Sequence, residues 1–239
     1  MAEAIISLEG VTKDYGAPPR QVHALRSVDL EVAEAEFVVL LGPSGSGKTT
    51  LLNVLGGIEA PTSGTVTVAG RRVEALEEED RSEFRRNSVG FVFQFFNLVP
   101  TLTAGENVQL IAELRPTLGD AADRTHTVLA GLGLEDLTER YPMQLSGGQQ
   151  QRVAVARALV NQARVLLCDE PTGALDLETG RSILDLLQRA QRETGTTVVM
   201  VTHNSAIAKM ADRVLNMRSG EIVGDRRVES PVSAAEVSW

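Results

Sequence analysis

A glycine-rich segment that ends in a lysine and two threonines could bind phosphate. It reads Gly42-Pro43-Ser44-Gly45-Ser46-Gly47-Lys48-Thr49-Thr50 and matches the pattern G-x-x-x-x-G-K-[ST]. Glycines let the backbone wrap an anion, so that several N–H groups point at one phosphate. Lys48 would reach the β- and γ-phosphates, and the Thr49 hydroxyl would bind Mg²⁺. The alternative is a glycine-rich turn that matches by chance, which an apolar strand before it and a helix after it argue against.

Two acids that follow an apolar run could hold a metal ion and activate water. Asp169 and Glu170 come directly after Val165–Cys168. Asp169 would hold Mg²⁺, usually through water, and Glu170 would polarise the attacking water as a general base. Taken alone, the pair could equally be two solvated acids at a strand end. A phosphate-binding loop in the same chain favours the catalytic interpretation.

A third segment, Leu145-Ser146-Gly147-Gly148-Gln149, could bind an anion at a helix start. Serine favours the N-cap position, and a helix is expected onward through Gln150 to Val160. The N-terminal end of a helix attracts negative charge. By itself the segment could also be an ordinary helix cap.

The hydrophobic pattern predicts the scaffold that would bring these segments together. Phe37–Leu41, Val165–Cys168 and Thr197–Val201 are continuous apolar runs, typical of strands buried on both faces. Helices are expected from Gly47 to Gly56-Gly57 and from Glu178 to Glu193. Alternating buried strands and helices predict an α/β fold with a parallel sheet covered on both faces.

The remaining segments are predicted in less detail. Val28, Leu30 and Val32 alternate with acids as in a half-buried strand, and Thr65–Val68 is a further short strand. The acidic run Glu77–Asp80 indicates a solvated helix face. Residues from about 95 to 150 are mainly helical, and the tail after 224 has no clear period and is expected to be loosely held.

The amino-acid composition argues against a membrane-spanning, a secreted or a nucleic-acid-binding protein. The 239 residues contain 43% hydrophobic side chains, but no apolar run approaches the ~20 residues that cross a bilayer. The N-terminus does not resemble a signal peptide, and a single cysteine, Cys168, fits a reducing cytoplasm. The 32 acidic against 23 basic residues, scattered along the chain, argue against nucleic acid as a partner.

The phosphate loop, the Leu-Ser-Gly-Gly-Gln segment and the Asp-Glu strand, in this order, resemble the ATP-binding-cassette (ABC) ATPases. The resemblance implies a P-loop NTPase ABC cassette with a RecA-like core, an antiparallel β-subdomain and a helical subdomain. Residues 1–224 would form this single ATP-binding domain, with the helical subdomain inserted at about 95–150, and residues 225–239 the loose tail. ATP and Mg²⁺ would be its ligands, and the chain would hydrolyse ATP.

The resemblance also assigns residues that would act across a dimer. Ser146, Gly147, Gly148 and Gln149 match the signature sequence, which binds the γ-phosphate held by the partner subunit. Asp176, in Gly173-Ala174-Leu175-Asp176, matches the D-loop, although glycine replaces the usual serine at 173. Two copies would therefore close head-to-tail on two ATP molecules, and hydrolysis would release them.

Three further positions are assigned by the resemblance within one subunit. Gln94 matches the Q-loop glutamine that contacts Mg²⁺ and water, and His203 matches the switch histidine beside the γ-phosphate. Tyr15 matches the aromatic residue that stacks on adenine, although a core or surface tyrosine is an equal alternative. His23 and His126 belong to no motif and are interpreted as solvated.

Segments 90–100, 145–154 and 169–176 resemble the macrolide-exporter and lipoprotein-releasing branch, whose ATPases pair with permeases of the cell-division-permease kind. A soluble ABC ATPase of a scaffold or repair assembly is the alternative. Repair members insert a long coiled coil between the Q-loop and the signature, for which Gln94 to Leu145 leaves no room, but an iron–sulfur scaffold ATPase stays open on length.

A cluster of phenylalanines favours a membrane partner. Four of the six, at 91, 93, 95 and 96, lie in one short segment. Strand alternation can bury Phe91 and Phe93, which leaves Phe95, Phe96 and Leu98 to dock a permease subunit. A satellite core under the helical lobe is the alternative. The docking hypothesis places the chain in the cytoplasm, peripheral on the inner face of the cell membrane.

Overall fold

Residues 4–238 are described here from a computed structural model of the chain, which contains ten strands and six α-helices in this range. The strands are β1 (Ala4–Tyr15), β2 (Val22–Ala33), β3 (Phe37–Leu41), β4 (Ser63–Val68), β5 (Arg71–Arg72), β6 (Val89–Val92), β7 (Val165–Asp169), β8 (Thr197–Thr202), β9 (Arg213–Arg218) and β10 (Glu221–Arg227). The helices are α1 (Lys48–Leu55), α2 (Glu78–Ser88), α3 (Ala104–Glu113), α4 (Ala121–Gly131), α5 (Gly147–Leu159) and α6 (Leu177–Thr194). Within residues 4–238, no helix combines the length and apolar character that a bilayer crossing needs.

The larger sheet has the strand order β10-β9-β3-β8-β7-β6 and is parallel except for the edge strand β10. In β3, Val38 and Leu40 face one apolar core while Phe37 and Val39 face the other, so the sheet is covered on both sides. The predicted parallel α/β sheet is confirmed. Because parallel strands end at the same edge, the residues that follow β3, β6, β7 and β8 meet there.

The smaller sheet is antiparallel, with the order β2-β1-β4-β5. Val28, Leu30 and Val32 of β2 are 2%, 6% and 0% exposed and belong to the first core, as their alternation predicts. Apolar residues of this sheet and of α1 belong to the same core. Strands β2 and β4 therefore contact α1, the helix that follows β3 in the chain.

A helical lobe with its own core contains α3, α4 and the apolar side of α5. Helix α3 begins at a capping box in which Thr103 and Glu106 accept hydrogen bonds from each other's backbone N–H groups. Val108, Leu129 and Val153 are buried between the three helices. The region from 95 to 150, predicted to be mainly helical, contains α3, α4 and the start of α5.

The expectation of a loosely held tail from residue 225 is wrong for the described part. Strand β10 continues to Arg227, and Ala234 and Val237 are each 1% exposed in the second core. Arg181 Nε donates to the Val237 carbonyl at 2.7 Å, and Gln188 Nε2 donates to the Val232 carbonyl at 3.1 Å. The tail shows no hydrophobic period because it packs along α6 as an irregular segment. Scattered apolar contacts and hydrogen bonds to its backbone carbonyl groups hold it there.

Two helix faces differ in detail from their predictions. On α6, Ile183 and Leu187 are buried as expected, but Leu184 is buried while Leu186 is only partly buried. The acids of the run Glu77–Asp80 are exposed as predicted, whereas Phe84 of α2 is 1% exposed and packs in the first core. Helical period identifies an apolar stripe, but the neighbouring element decides which side of the stripe is covered.

Candidate nucleotide-binding site

The glycine-rich loop joins β3 to the start of α1. Gly45 and Gly47 have φ of 76° and 101°, in the left-handed region that favours glycine. A Cβ at Gly47 would also overlap the Ala24 carbonyl oxygen of β2, and one at Gly42 would overlap the Met217 carbonyl oxygen of β9. The loop therefore lies tightly against both sheets, which leaves its other side free for an anion.

Lys48, the first residue of α1, is only 8% exposed. Its ammonium donates to the carbonyl oxygens of Gly42 and Pro43 at 2.7 and 2.9 Å. Burial lowers the pKa of Lys48, and the carboxylates of Glu170 and Asp169 act in the opposite direction. The Lys48 ammonium is therefore close enough to the Asp169 and Glu170 carboxylates to interact with their charges.

Thr49 and Asp169 form the second part of the site. Thr49 Oγ1 donates to Asp169 Oδ2 at 3.0 Å, although the two are 120 residues apart in sequence. Burial raises the pKa of Asp169, and the hydrogen bond from Thr49 and the charge of Lys48 offset part of that effect. A hydroxyl beside a carboxylate suits Mg²⁺, which prefers oxygen and takes most of its other ligands from water and phosphates. Residues 4–238 contain no group of three or more His, Cys, Asp or Glu side chains that could hold a metal without such ligands.

Glu170 is held in place by the end of β8. Its Oε1 accepts from the His203 backbone N–H at 2.9 Å and from His203 Nδ1 at 2.7 Å, because an ionised carboxylate can only accept. Its Oε2 accepts from the Thr202 hydroxyl at 3.0 Å. Glu170 also has φ of 47°, a strained value for a residue with a side chain. Strand β7 therefore presents this carboxylate in one fixed orientation.

These groups line a single cleft of about 850 Å³ at the carboxyl edge of the larger sheet. Its walls contain the predicted residues Ser44, Gly45, Gly47, Lys48, Thr49, Thr50, Gln94, Asp169, Glu170 and His203. Gly42, Pro43 and Ser46 belong to the same loop without lining the cleft, and the Ser46 hydroxyl is buried without a partner. The cleft can accept a polyphosphate on the loop, with a metal ion and a water beside the two carboxylates.

Tyr15 lies at the end of β1, beside the loop helix. The Thr50 side chain, which lines the cleft, is a hydrogen-bonding neighbour of the Tyr15 hydroxyl. Tyr15 is 38% exposed. His23, interpreted from the sequence as solvated, is exposed but also lines the cleft, where its Nδ1 lies 2.7 Å from Asp14 Oδ1. No motif marks His23, and its place in the cleft follows from the pairing of β2 with β1.

None of the four signature residues, nor Asp176, lines this cleft. Ser146 is the N-cap of α5, where its hydroxyl accepts from the Gln149 N–H at 3.3 Å and Gln149 Oε1 accepts from the Ser146 N–H at 2.8 Å. Ser146 and Gly147 are exposed. The N-terminus of α5 is thus open to solvent at a second location.

Gly148 and Asp176 also have structural roles. A Cβ at Gly148 would overlap Thr179 Cγ2 of α6, so glycine permits the close approach of α5 to α6. Asp176 caps α6 by accepting from the Thr179 N–H and hydroxyl at 3.0 and 2.7 Å, and these bonds lower its pKa. The signature helix and the D-loop are therefore fixed to each other.

Two residues of α5 that the sequence reasoning missed hold the Q-loop on both sides of Gln94. Gln151 is fully buried, and its Nε2 donates to the Pro171 carbonyl at 2.9 Å and to the Phe93 carbonyl at 3.5 Å. The Arg157 guanidinium donates to the carbonyl oxygens of Phe96 and Asn97 at 2.9 and 2.5 Å, and burial lowers its pKa. Little in the sequence distinguishes them, because α5 also contains two other glutamines and another arginine.

The phenylalanine segment is divided between surface and core. Phe95 is 75% exposed, Phe96 is half-buried near Gly147, and Leu98 packs against the core of the helical lobe. Phe91 and Phe93, expected to be buried beside the sheet, are instead half-buried and stack at 5.4 Å. They line an adjacent groove of about 480 Å³ together with Ser82, Arg85, Arg86, Val89, Gly90, Asn97, Ile111, Leu114, Arg157, Ala158 and Asn161.

The amino-acid sequence is similar to those of a known protein family. The sequence model of the ABC transporter family matches residues 25–173. An uncharacterized ABC transporter ATP-binding protein of Methanocaldococcus jannaschii, MJ0796, is 43% identical over 230 residues, which are 94% of this chain and 97% of that protein. The macrolide export ATP-binding/permease protein MacB 1 of Aeromonas hydrophila is 44% identical over 98% of this chain. This chain spans only 36% of that relative's length.

A solved structure gives the same result for the fold. The ATP-binding cassette MJ0796, in a dimeric post-hydrolysis state bound to ADP and Pi, superposes with a TM-score of 0.88 at 40% identity. The match covers 94% of this chain and 99% of that chain.

Proposed function

This chain belongs to the ABC transporter family as an ATP-binding and ATP-hydrolysing subunit, and from this premise we propose how its residues divide the reaction. The relatives are named as transporter proteins, so the soluble scaffold or repair ATPase is not favoured. ATP is its substrate, and the Thr49 hydroxyl beside the Asp169 carboxylate fits an accompanying Mg²⁺. When bound, Mg²⁺ would supply positive charge that offsets the negative charge of the phosphates.

The observation that carries the proposal is the fixed Glu170 carboxylate beside the loop, the Thr49–Asp169 pair and Lys48. Glu170 accepts the proton of the attacking water, and His203 orients Glu170 through its Nδ1–H. Thr49, Asp169 and Gln94 would hold the metal and its water. The loop residues from 42 to 50 bind the phosphates through backbone N–H groups and the Lys48 ammonium, and Tyr15 stacks on the adenine.

Lys48→Ala should weaken ATP binding by about 10- to 100-fold, the range for losing charge-assisted hydrogen bonds to phosphate. Isothermal titration calorimetry with ATP in EDTA measures this without hydrolysis. Lys209→Ala is the matched control, because Lys209 is exposed and does not line the cleft. Unaltered affinity in a folded Lys48→Ala variant would remove Lys48 from the phosphate site.

The full catalytic site is composite in this proposal. Ser146 and its glycines lie outside the cleft on an exposed helix N-terminus, and the structure of a relative bound to ADP and Pi is dimeric. Two copies therefore close head-to-tail, so that each α5 N-terminus binds the γ-phosphate held in the other subunit. The contact between Gly148 and Thr179 would move the D-loop together with the signature during closure.

The partner that receives this motion is a membrane permease, which brings the chain to the inner face of the membrane. The MacB relatives join ATP-binding and permease parts in one protein by name. We assign the docking surface to the groove walled by Phe91, Phe93 and Leu114, to which the exposed Phe95 is close in sequence. Arg157 supports the assignment because it holds the carbonyl oxygens of this segment on the signature helix.

Leu114→Ser should weaken association with membranes without changing ATP hydrolysis by the purified chain. Leu114 is 46% exposed and lines the groove, so its loss removes about 1–2 kcal/mol of apolar contact, roughly a five- to thirtyfold weaker association. Leu110→Ser is the matched control, since Leu110 is 45% exposed on α3 but lies outside the groove. Co-sedimentation with source-cell membranes stripped of peripheral proteins measures the difference.

Equal co-sedimentation of both variants would place docking elsewhere. The segment around Leu98 is a poorer site for this test, because Leu98 packs against the helical-lobe core and its replacement would also destabilise that lobe.

A further inference from the structure

The Tyr15 ring is restrained at its hydroxyl by a residue that belongs to no motif. Tyr15 Oη donates to Glu59 Oε2 at 2.5 Å, across 44 residues of sequence. Lys13 Nζ lies 5.1 Å from the ring centroid and 3.5 Å from the same Glu59 oxygen. The ring is thus held at its polar tip and faced by a cation, while 38% of Tyr15 is open to solvent.

Glu59 is itself anchored to the end of the loop helix. Asn53 of α1 donates from Nδ2 to Glu59 Oε1 at 2.8 Å, and the Glu59 N–H donates to the Asn53 carbonyl at 3.2 Å. Lys13 Nζ also donates to the Ala60 carbonyl at 2.8 Å. The Glu59 carboxylate therefore joins the helix that follows the phosphate loop to the tyrosine at the end of β1.

The ionisation states agree with this arrangement. Burial acts to raise the pKa of Glu59, but the hydrogen bonds from Tyr15 and Asn53 and the charge of Lys13 outweigh it and lower the pKa. Burial and the Glu59 carboxylate raise the pKa of Tyr15. At neutral pH the pair is a neutral phenol donating to a carboxylate, the stronger kind of hydrogen bond.

We propose that Glu59 is a positioning residue for base recognition, which holds the Tyr15 ring at a fixed distance from the phosphate loop so that its open face is ready for adenine. The proposal rests on the proposed role of Tyr15. An aromatic ring free to rotate must be ordered when the base binds, whereas an anchored ring is ordered beforehand. Glu59 would therefore strengthen binding of the base part of the nucleotide and leave the phosphate part unaffected.

The test compares ATP with tripolyphosphate, which lacks the base and ribose, by isothermal titration calorimetry in EDTA. Glu59→Ala and Tyr15→Phe each remove the hydrogen bond and should each weaken ATP binding about three- to tenfold, the cost of ordering one side chain. Tripolyphosphate affinity should not change. The double variant should lose no more than either single variant, because both remove the same interaction. Glu59→Gln, whose amide oxygen can still accept from the phenol, should recover most of the loss.

In steady-state hydrolysis Glu59→Ala should raise KM and leave kcat unchanged, as expected for a residue that acts only on base binding. The proposal is overturned if Glu59→Ala leaves ATP affinity unchanged, weakens tripolyphosphate equally, or adds its full effect to that of Tyr15→Phe. The last two outcomes would mean that Glu59 only stabilises the end of α1. Tyr15→Ala separates the two levels: if it fails to weaken ATP relative to tripolyphosphate, the adenine role of Tyr15 is wrong, whatever Glu59 does.

Discussion

Glu170→Gln should bind ATP about as well as the unmodified chain while its turnover falls by about 10²- to 10⁴-fold, the usual contribution of a general base. The amide is nearly isosteric, and its oxygen can still accept from the Thr202 hydroxyl or the His203 N–H. It cannot accept a proton from water. Binding and chemistry should therefore separate cleanly in this variant.

The same variant should accumulate an ATP-bound dimer, because hydrolysis is the step that releases the pair. Size-exclusion chromatography with Mg·ATP measures the dimer, and phosphate release measures turnover. Glu229→Gln is the control, since Glu229 is exposed and does not line the cleft. Near-normal phosphate release by folded Glu170→Gln would remove Glu170 from the base role.

Ser146→Arg should reduce hydrolysis by at least about 10²-fold, comparable to losing a preorganised donor to a developing charge. The arginine would obstruct the exposed N-terminus of α5 and replace the hydroxyl that caps it. ATP binding to the isolated subunit should persist, because Ser146 does not line the cleft. Normal hydrolysis by this variant would contradict the signature assignment.

Mixing experiments test whether the site is shared between subunits. In a dimer of one Lys48→Ala and one Ser146→Arg subunit, both substitutions lie in one composite site and the other site is intact. The mixture should therefore hydrolyse ATP although neither variant alone does. Lys48 and Glu170 line the same cleft of one subunit. Mixing Lys48→Ala with Glu170→Gln should therefore restore nothing, and recovery in that control would refute the head-to-tail arrangement.

The parallel sheet could be predicted because its signal is local. A strand buried on both faces needs a continuous apolar run, and Phe37–Leu41 and Val165–Cys168 supply one each. The tail could not be predicted in the same way. Ala234 and Val237 are isolated apolar residues without a period, and their burial depends on packing against α6, which lies far away in sequence.

The candidate site likewise contains some residues that could be predicted from the sequence and others that could not. The glycines, Lys48, Thr49, Asp169 and Glu170 could be named from the sequence, because the chemistry of phosphate and metal binding demands those residue types at those spacings. Their meeting in one cleft follows from parallel strands that end at one edge. The partners that orient them could not be named in this way, since Thr202 and Glu59 belong to no motif.

The fold class, the phosphate loop and the acids at the end of β7 can be recognised from the amino-acid sequence, because each depends on residues adjacent along the chain. The groups that hold those residues in place become visible only in the folded molecule. His203 Nδ1 bonds Glu170 across 33 residues, Tyr15 bonds Glu59 across 44, and Thr49 bonds Asp169 across 120. A hydrogen bond requires two atoms within about 3 Å and aligned, and over such separations only the packing of the whole chain sets that distance.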